Sequence, residues 1–208
     1  LVEDTVFSMD GMEMAVTENY PGAGKLIITR EVKDKWDRDK MVSSTRYGYL
    51  LLSLRGVESN TVVAARVDKI GKSEHPWVLT LVQLAKSAGA KVKVMLVDGA
   101  YCVGDVLWRL KHEEKVDFIV PADSSMCITE DARALALLKE GTIIKENSEI
   151  RAVGVKGLST YDAYKPPSDQ GRRGPKPTLN AVVVTRWKWR DVPREEQKVL
   201  ITTLPVDD

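Results

Sequence analysis

Lys91–Tyr101, KVKVMLVDGAY, decides the fold. Val92, Val94, Leu96 and Val97 make an apolar run bounded by Gly89 and Gly99, the pattern of a strand covered on both faces. Asp98 closes that run at the carboxyl end, where open α/β sheets gather their functional groups. A carboxylate there costs free energy unless it is hydrogen-bonded, paired or on a cation. Asp98-Gly99 is also a common turn pair. Turn former is the plainer reading of Asp98 until a second acid joins it.

The candidate second acid is at the other end of the chain, in Leu1–Met9, LVEDTVFSM. By the period of two, Val2, Asp4, Val6 and Ser8 share one face of a strand, and Leu1, Glu3, Thr5, Phe7 and Met9 share the other. Asp4 thus interrupts a partly apolar face, although acids on edge strands also serve as protection against aggregation.

What lies between the two acids suggests that they meet. Leu1–Met9 is expected to turn at Asp10-Gly11 into a second extended piece, Glu13–Thr17, followed by a loop at Asn19–Gly24. Lys33–Lys40 is charged and reads as a short helix or excursion anchored by Trp36. Tyr47–Leu54 (YGYLLLSL) and Thr61–Val67 (TVVAARV) form an antiparallel hairpin. Pro76 starts a helix, with His75 beside it as a cap, and Gly89 stops it. The Asp98 strand follows, then a helix over about Val103 to Glu114 and a buried strand at Asp117–Val120. Three antiparallel strands followed by two right-handed crossovers place the first strand beside the one ending in Asp98. Neighbouring carboxylates repel unless they share a proton or a divalent cation. Oxygen ligands suit Mg²⁺ or Mn²⁺, and a two-metal site drives in-line attack on a phosphodiester.

Composition bounds the rest. The 208 residues are 43% hydrophobic and 29% charged, values of an ordinary globular chain. Cys102 and Cys127 offer neither a disulfide framework nor metal-ligand spacing, and fit a reducing cytosol. No apolar run approaches membrane length and no secretory signal is present. Both ends look like cuts through a larger protein. The net charge of +1 excludes a uniformly basic coat. Yet Arg172, Arg173, Lys176, Arg186, Lys188, Arg190 and Arg194 crowd the last quarter, in GRRGPKP (Gly171–Pro177) and RWKWR (Arg186–Arg190). Basic residues alternating with Trp187 and Trp189 suit phosphates and exposed bases. They equally suit a strand with tryptophans against a core and cations in water.

Other chemistries fall away on their spacing. Gly22-Ala23-Gly24-Lys25 has Asn19 where a phosphate loop needs its first glycine, and Leu26 where it needs Ser or Thr. His112-Glu113 lacks the second histidine of a metalloprotease helix. No Ser or Cys sits in a nucleophile elbow, and no strand is followed by dinucleotide-binding glycines.

The pieces EDT (Glu3–Thr5), YGYLLLSL, TVVAARV, VDGAY (Val97–Tyr101), LWRLKHEEKVDFIVPADSSM (Leu107–Met126) and VLITTLPVDD (Val199–Asp208), in this order, resemble the catalytic domain of the DDE transposases of bacterial insertion sequences. The resemblance implies an α/β fold, a ribonuclease-H-like mixed sheet with flanking helices. Residues 1–122 would be the core, and 123–208 a β-rich insertion and return strand. It implies a first metal-binding aspartate at Asp4 and a second at Asp98, holding Mg²⁺ or Mn²⁺. VDGAY departs from the commoner Asp-Arg-Gly-Tyr form. The third acid, a glutamate on a later helix, has no match here, since Glu195 and Glu196 precede the terminal strand.

The activity implied is metal-dependent cleavage and strand transfer at transposon ends. Its partners would be double-stranded DNA, as element ends and target, and a homodimer on that DNA, with no membrane. Its place would be the bacterial cytoplasm, beside the nucleoid. Arg172, Arg173, Lys176, Lys188 and Arg190 would contact DNA. Residues 1–208 alone are expected not to cleave or join DNA without the third acid. The alternative is a catalytically inactive, decayed or domesticated DNA-binding relic.

Overall fold

β1 (Val6–Val16) is the strand on which the sheet turns from antiparallel to parallel pairing. The computed structural model describes residues 3–33, 39–138, 141–169, 177–190 and 192–206. Along them run β2 (Gly24–Lys33), β3 (Asp39–Gly56), β4 (Val62–Lys69), α1 (Trp77–Ser87), β5 (Val94–Leu96), α2 (Gly104–His112) and β6 (Asp117–Pro121). Then come α3 (Cys127–Leu137), β7 (Thr142–Glu146), β8 (Ile150–Leu158), β9 (Leu179–Arg190) and β10 (Val192–Thr202). The ten strands form one mixed, mostly antiparallel sheet, β2-β3-β1-β5-β6-β10-β9-β8-β7, with β4 also paired to β3.

On one side β1 pairs antiparallel with β3, from Phe7↔Gly56 to Val16↔Tyr47. On the other it runs parallel to β5, from Val6↔Val94 to Ser8↔Leu96. β5 runs parallel to β6. Parallel pairs need crossovers, and α1 and α2 supply them. The sequence reading anticipated this: a β3–β4 hairpin, then two crossovers bringing the first strand beside the Asp98 strand. Residues after 123 extend the same sheet, because β10 pairs antiparallel with β6 and carries β9, β8 and β7 beyond it.

Why the layers form is plain from the periodicities. Phe7 and Met9 of β1, Leu50, Leu52 and Leu54 of β3, Met95 of β5, Phe118 of β6 and Ile201 of β10 are buried at a spacing of two. They join one core with the inward residues of all three helices, among them Leu81 and Val82, Leu107 and Leu110, and Ile128 and Ala132. The residues between them on the strands, Ser8, Leu51, Leu96 and Ile119, lie on the opposite face and are only half-buried. Arg66 of β4 stacks its guanidinium 3.2 Å from the centroid of the Trp77 ring, which seats the start of α1 on the sheet. Among the described residues no helix is long and apolar enough to cross a membrane.

Three expectations are corrected. β1 does not turn at Asp10-Gly11 but continues through both residues to Val16, because Met14 and Val16 prolong the alternation. β2 and the first half of β3 are strands, with Lys33 and Lys40 in them rather than in a helix; Trp36 lies outside the described residues. His75 does not cap α1 with its side chain: Pro76 is the cap residue, and the imidazole Nε2–H of His75 donates to the Ala100 carbonyl at 2.7 Å.

Candidate acidic site

The register of β1 and β5 brings two carboxylates to one place. Ser8 pairs with Leu96, and two residues further along each strand stand Asp10 and Asp98. Their even positions put both on the half-buried face, opposite the helices, and both are exposed. Asp98 lies just past the carboxyl end of β5, and Asp10 lies inside β1, just beyond its parallel pairing with β5.

The turn after β5 holds Asp98 in its place. The backbone N–H of Gly99 donates to Asp98 Oδ1, and the N–H of Tyr101 donates to the Asp98 carbonyl at 2.9 Å. Asp98 is therefore a turn former as well as a site candidate, capping a short 3-10 turn over Gly99–Tyr101.

Tyr101 turns inward, 3% exposed, and its hydroxyl donates to Glu74. Burial above all, then the Glu74 carboxylate and the charges of Asp10 and Asp98, push the phenol far above its ordinary range. It stays a protonated donor at any physiological pH. Gly11 leaves room for the Glu74 carboxylate in this position: a β-carbon there would lie 2.6 Å from Glu74 Oε2, the tip of a flexible side chain. With His75 bonded to Ala100, the loop before α1 clamps the Asp98 turn through two side chains.

Asp4 is not part of this site, which corrects the expectation that it bridges with Asp98. It precedes β1, where the Thr5 carbonyl accepts from the Lys93 and Val94 amides, level with the start of β5. Six residues separate it from Asp10, or about 20 Å along a strand. Its carboxylate has another task. Oδ1 accepts from the Glu58 amide at 3.0 Å and the Ser59 amide at 3.2 Å, and the Ser59 hydroxyl donates to Oδ2. Asp4 thus closes the β3–β4 turn, in which Asn60 takes a left-handed φ of 58°.

The Ser59 hydroxyl holds the Asp4 carboxyl below the usual carboxylate range, with the two amides assisting and burial opposing. A depressed folded pKa gives stability that is present above the unfolded value and lost as pH falls through the folded one. Asp4→Asn is therefore expected to lower the melting temperature by roughly 5 °C at neutral pH. The difference from wild type should shrink below about pH 4, a trend that thermal melts across pH would record.

The other expected site residues are not brought to the acids within the described residues. Arg172, Arg173 and Lys176 lie outside them. Lys188 and Arg190 stand in the last part of β9, their backbones opposite Arg194 and Val192 of β10. Asp10 and Glu74 are the residues that sequence reasoning missed. The signal for Asp10 was the apolar alternation continuing past it; Glu74 carried none.

Two exposed carboxylates from adjacent strands are an all-oxygen donor set. Mg²⁺ and Mn²⁺ accept one or two carboxylates and keep several waters, so Asp10 and Asp98 fit such an ion. Among the described residues no group of three or more His, Cys, Asp or Glu is arranged to hold a metal, so Glu74 is not a third ligand in this arrangement.

No family model matches the sequence, and no curated protein matches it. Among solved structures, the fold is similar to a piggyBac transposase in a synaptic complex with hairpin DNA, at 9% sequence identity and a TM-score of 0.43. The similarity covers 98% of this chain and 34% of that one, so this chain spans about a third of its length.

Proposed function

We propose that this chain is the acid-bearing part of a DDE transposase, cleaving and transferring DNA strands at the ends of an insertion-sequence element. The observation that carries the reading is the β1–β5 register: two residues beyond the Ser8↔Leu96 pair lie Asp10 and Asp98, both near enough to Tyr101 for their charges to act on it. The order β4-β3-β1-β5-β6, three antiparallel strands then two parallel ones, supports a ribonuclease-H-like sheet.

Asp10 and Asp98 would hold Mg²⁺ or Mn²⁺, which when bound supplies Lewis-acid stabilisation and an activated oxygen nucleophile for attack on a phosphodiester. Asp10 takes the place that the sequence reading gave to Asp4. The residues around the pair do the positioning. The Gly99 amide and the Tyr101 turn orient Asp98, and Glu74 and His75 fix that turn from the other side of the sheet. Both acids face solvent, so a duplex can reach them. The partner is double-stranded DNA, and the place of action is the bacterial cytoplasm.

Mn²⁺ titration of the full chain tests this. Wild-type protein is expected to bind Mn²⁺, Asp98→Asn to lose that binding, and Asp4→Asn to keep it. Binding retained by Asp98→Asn would remove the catalytic reading. A second reading, a DNA-binding relic without catalysis, is favoured by the want of a three-ligand cluster among the described residues. Wild-type DNA binding with no Mn²⁺ binding would support it.

A further inference from the structure

β2 and the first half of β3 leave the body of the sheet together. Their register runs from Gly24↔Gly48 to Lys33↔Asp39, while β1 stops at Val16↔Tyr47 and β4 at Tyr49↔Lys69. About eight residue pairs therefore extend as a two-stranded ribbon, roughly 27 Å at ~3.4 Å per residue. It continues in the direction of β1, past Val16 and so beyond Asp10 along the same strand direction.

This ribbon buries almost nothing. Residues 39–46 are all exposed, as is β2 from Thr29 onward. Ile27 is 59% and Met41 63% exposed. A lone two-stranded ribbon is marginal in water, so a surface of this kind gains from being covered.

Charge selects what covers it. Among its described residues the ribbon holds Lys25, Arg30, Lys33, Lys40 and Arg46 against Glu31 and Asp39, a net of +3 in a chain whose total is +1; residues 34–38 of the sequence add two of each sign. The remaining residues therefore sum to −2. The cations are also sorted by face. In register, Arg30, Lys40 and Arg46 share one face with no carboxylate, and Glu31 and Asp39 fall on the other with Lys25 and Lys33. Arg46 makes an exposed 3.5 Å pair with Glu13, worth little in water. Ile28, Val32 and Val42 lie between the cations on their face.

We propose that this ribbon docks double-stranded DNA, with the Arg30–Lys40–Arg46 face directed at the phosphates and the intervening aliphatic side chains toward base edges. The major groove, about 12 Å wide, admits a two-stranded ribbon. The inference rests on the DNA reading above and adds a contact surface separate from the acids. A duplex held there passes the carboxyl end of β1. The alternative occupant, a second copy of the chain paired through Ile27 and Met41, would use the other face, where Lys25 and Lys33 are balanced by Glu31 and Asp39, and would leave the Arg30–Lys40–Arg46 face uncovered.

The test is equilibrium binding of the full chain to a ~25-base-pair duplex of arbitrary sequence at two salt concentrations. Arg30→Gln/Lys40→Gln is expected to weaken binding about tenfold and flatten the slope of log K against log salt by about 2, since each lost phosphate contact removes about 0.9. Lys145→Gln, at an exposed cation of β7 away from the ribbon, is expected to keep the wild-type slope. Both positions are exposed, so an unchanged melting temperature shows that the double variant is folded. An unchanged slope in that variant, with wild-type protein binding DNA, overturns the ribbon and leaves the DNA reading intact. No binding by wild-type protein overturns both. A dimer lost in Ile27→Ser/Met41→Ser, with DNA affinity unchanged, makes the ribbon a self-association surface and overturns the proposal.

Discussion

Asp10→Asn and Asp98→Asn are each expected to weaken Mn²⁺ binding by about a hundredfold or more, and the double variant by little beyond either one. Loss of a residue that merely orients a ligand costs 10- to 100-fold in metal affinity, so loss of a ligand costs at least as much. The two effects should not add, because groups that act as a unit fail together. One carboxylate left on an exposed site meets an ion that water solvates equally well. In a double-variant cycle the coupling should therefore be about as large as either single effect, roughly 2.7 kcal/mol for a hundredfold change. Asn retains an oxygen that can accept from the Gly99 amide, so Asp98→Asn keeps the turn and reports on charge. Calorimetric titration with Asp4→Asn as the control measures all four. Independent, additive losses at Asp10 and Asp98 would mean that they do not share an ion.

Phe118→Ala is expected to cost about 3–5 kcal/mol in stability, lowering the melting temperature by roughly 10 °C. Phe118 is fully buried in β6, level with Met95 of β5. β6 is the join between the parallel strands and the hairpin of β9 and β10. The Phe118 ring lies 6.0 Å from that of Tyr164 in an edge-on arrangement. Tyr164 is itself 2% exposed, and burial, with the Asp117 charge assisting, pushes its phenol up to about 12. Removing the phenylalanine ring therefore opens a cavity beside a second large ring that cannot swing out without losing its own burial. The Thr202 hydroxyl donates to the Phe118 carbonyl at 2.6 Å, a bond to the backbone that the substitution leaves in place. The deficit is thus one of packing. Urea unfolding measures it, and Leu137→Ala, at a side chain 74% exposed, should be near neutral. A loss under about 1 kcal/mol for Phe118→Ala would mean that the join is not the packed seam described.

The elements that were legible in the sequence are those whose local pattern and tertiary role agree. α1 begins after Pro76 and ends before Gly89, which takes a φ of 92°, as a proline start and a glycine stop require. The apolar runs of β5 and β6 are buried because the sheet buries them from within. The acid pair was half legible. Asp98 follows from its position at a strand end, but its partner does not follow from parity, since Asp4 and Asp10 are both even positions of the same strand direction. Period two fixes a face; it does not fix a register. The register here is set between residues nearly ninety apart in the chain, and local spacing carries no record of it. Asp10-Gly11 also imitates a turn, although both residues lie inside β1. The ribbon escaped notice for the opposite reason: its strands have no core face, so no amphipathic pattern announces them.

The reading of the site stands or falls on Asp10, and not Asp4, lying beside Asp98, which cysteine cross-linking reads out. In a Cys102→Ser/Cys127→Ser background, which removes both native thiols, Asp10→Cys/Asp98→Cys is expected to form an intramolecular disulfide under mild oxidation. Adjacent strands hold such positions within the Cα separation of about 4.4–6.8 Å that a disulfide needs. Asp4→Cys/Asp98→Cys, with about 20 Å of strand between the two, is expected to remain reduced. A cross-link from position 4 to position 98, with none from position 10, would contradict the register and the acid pair built on it.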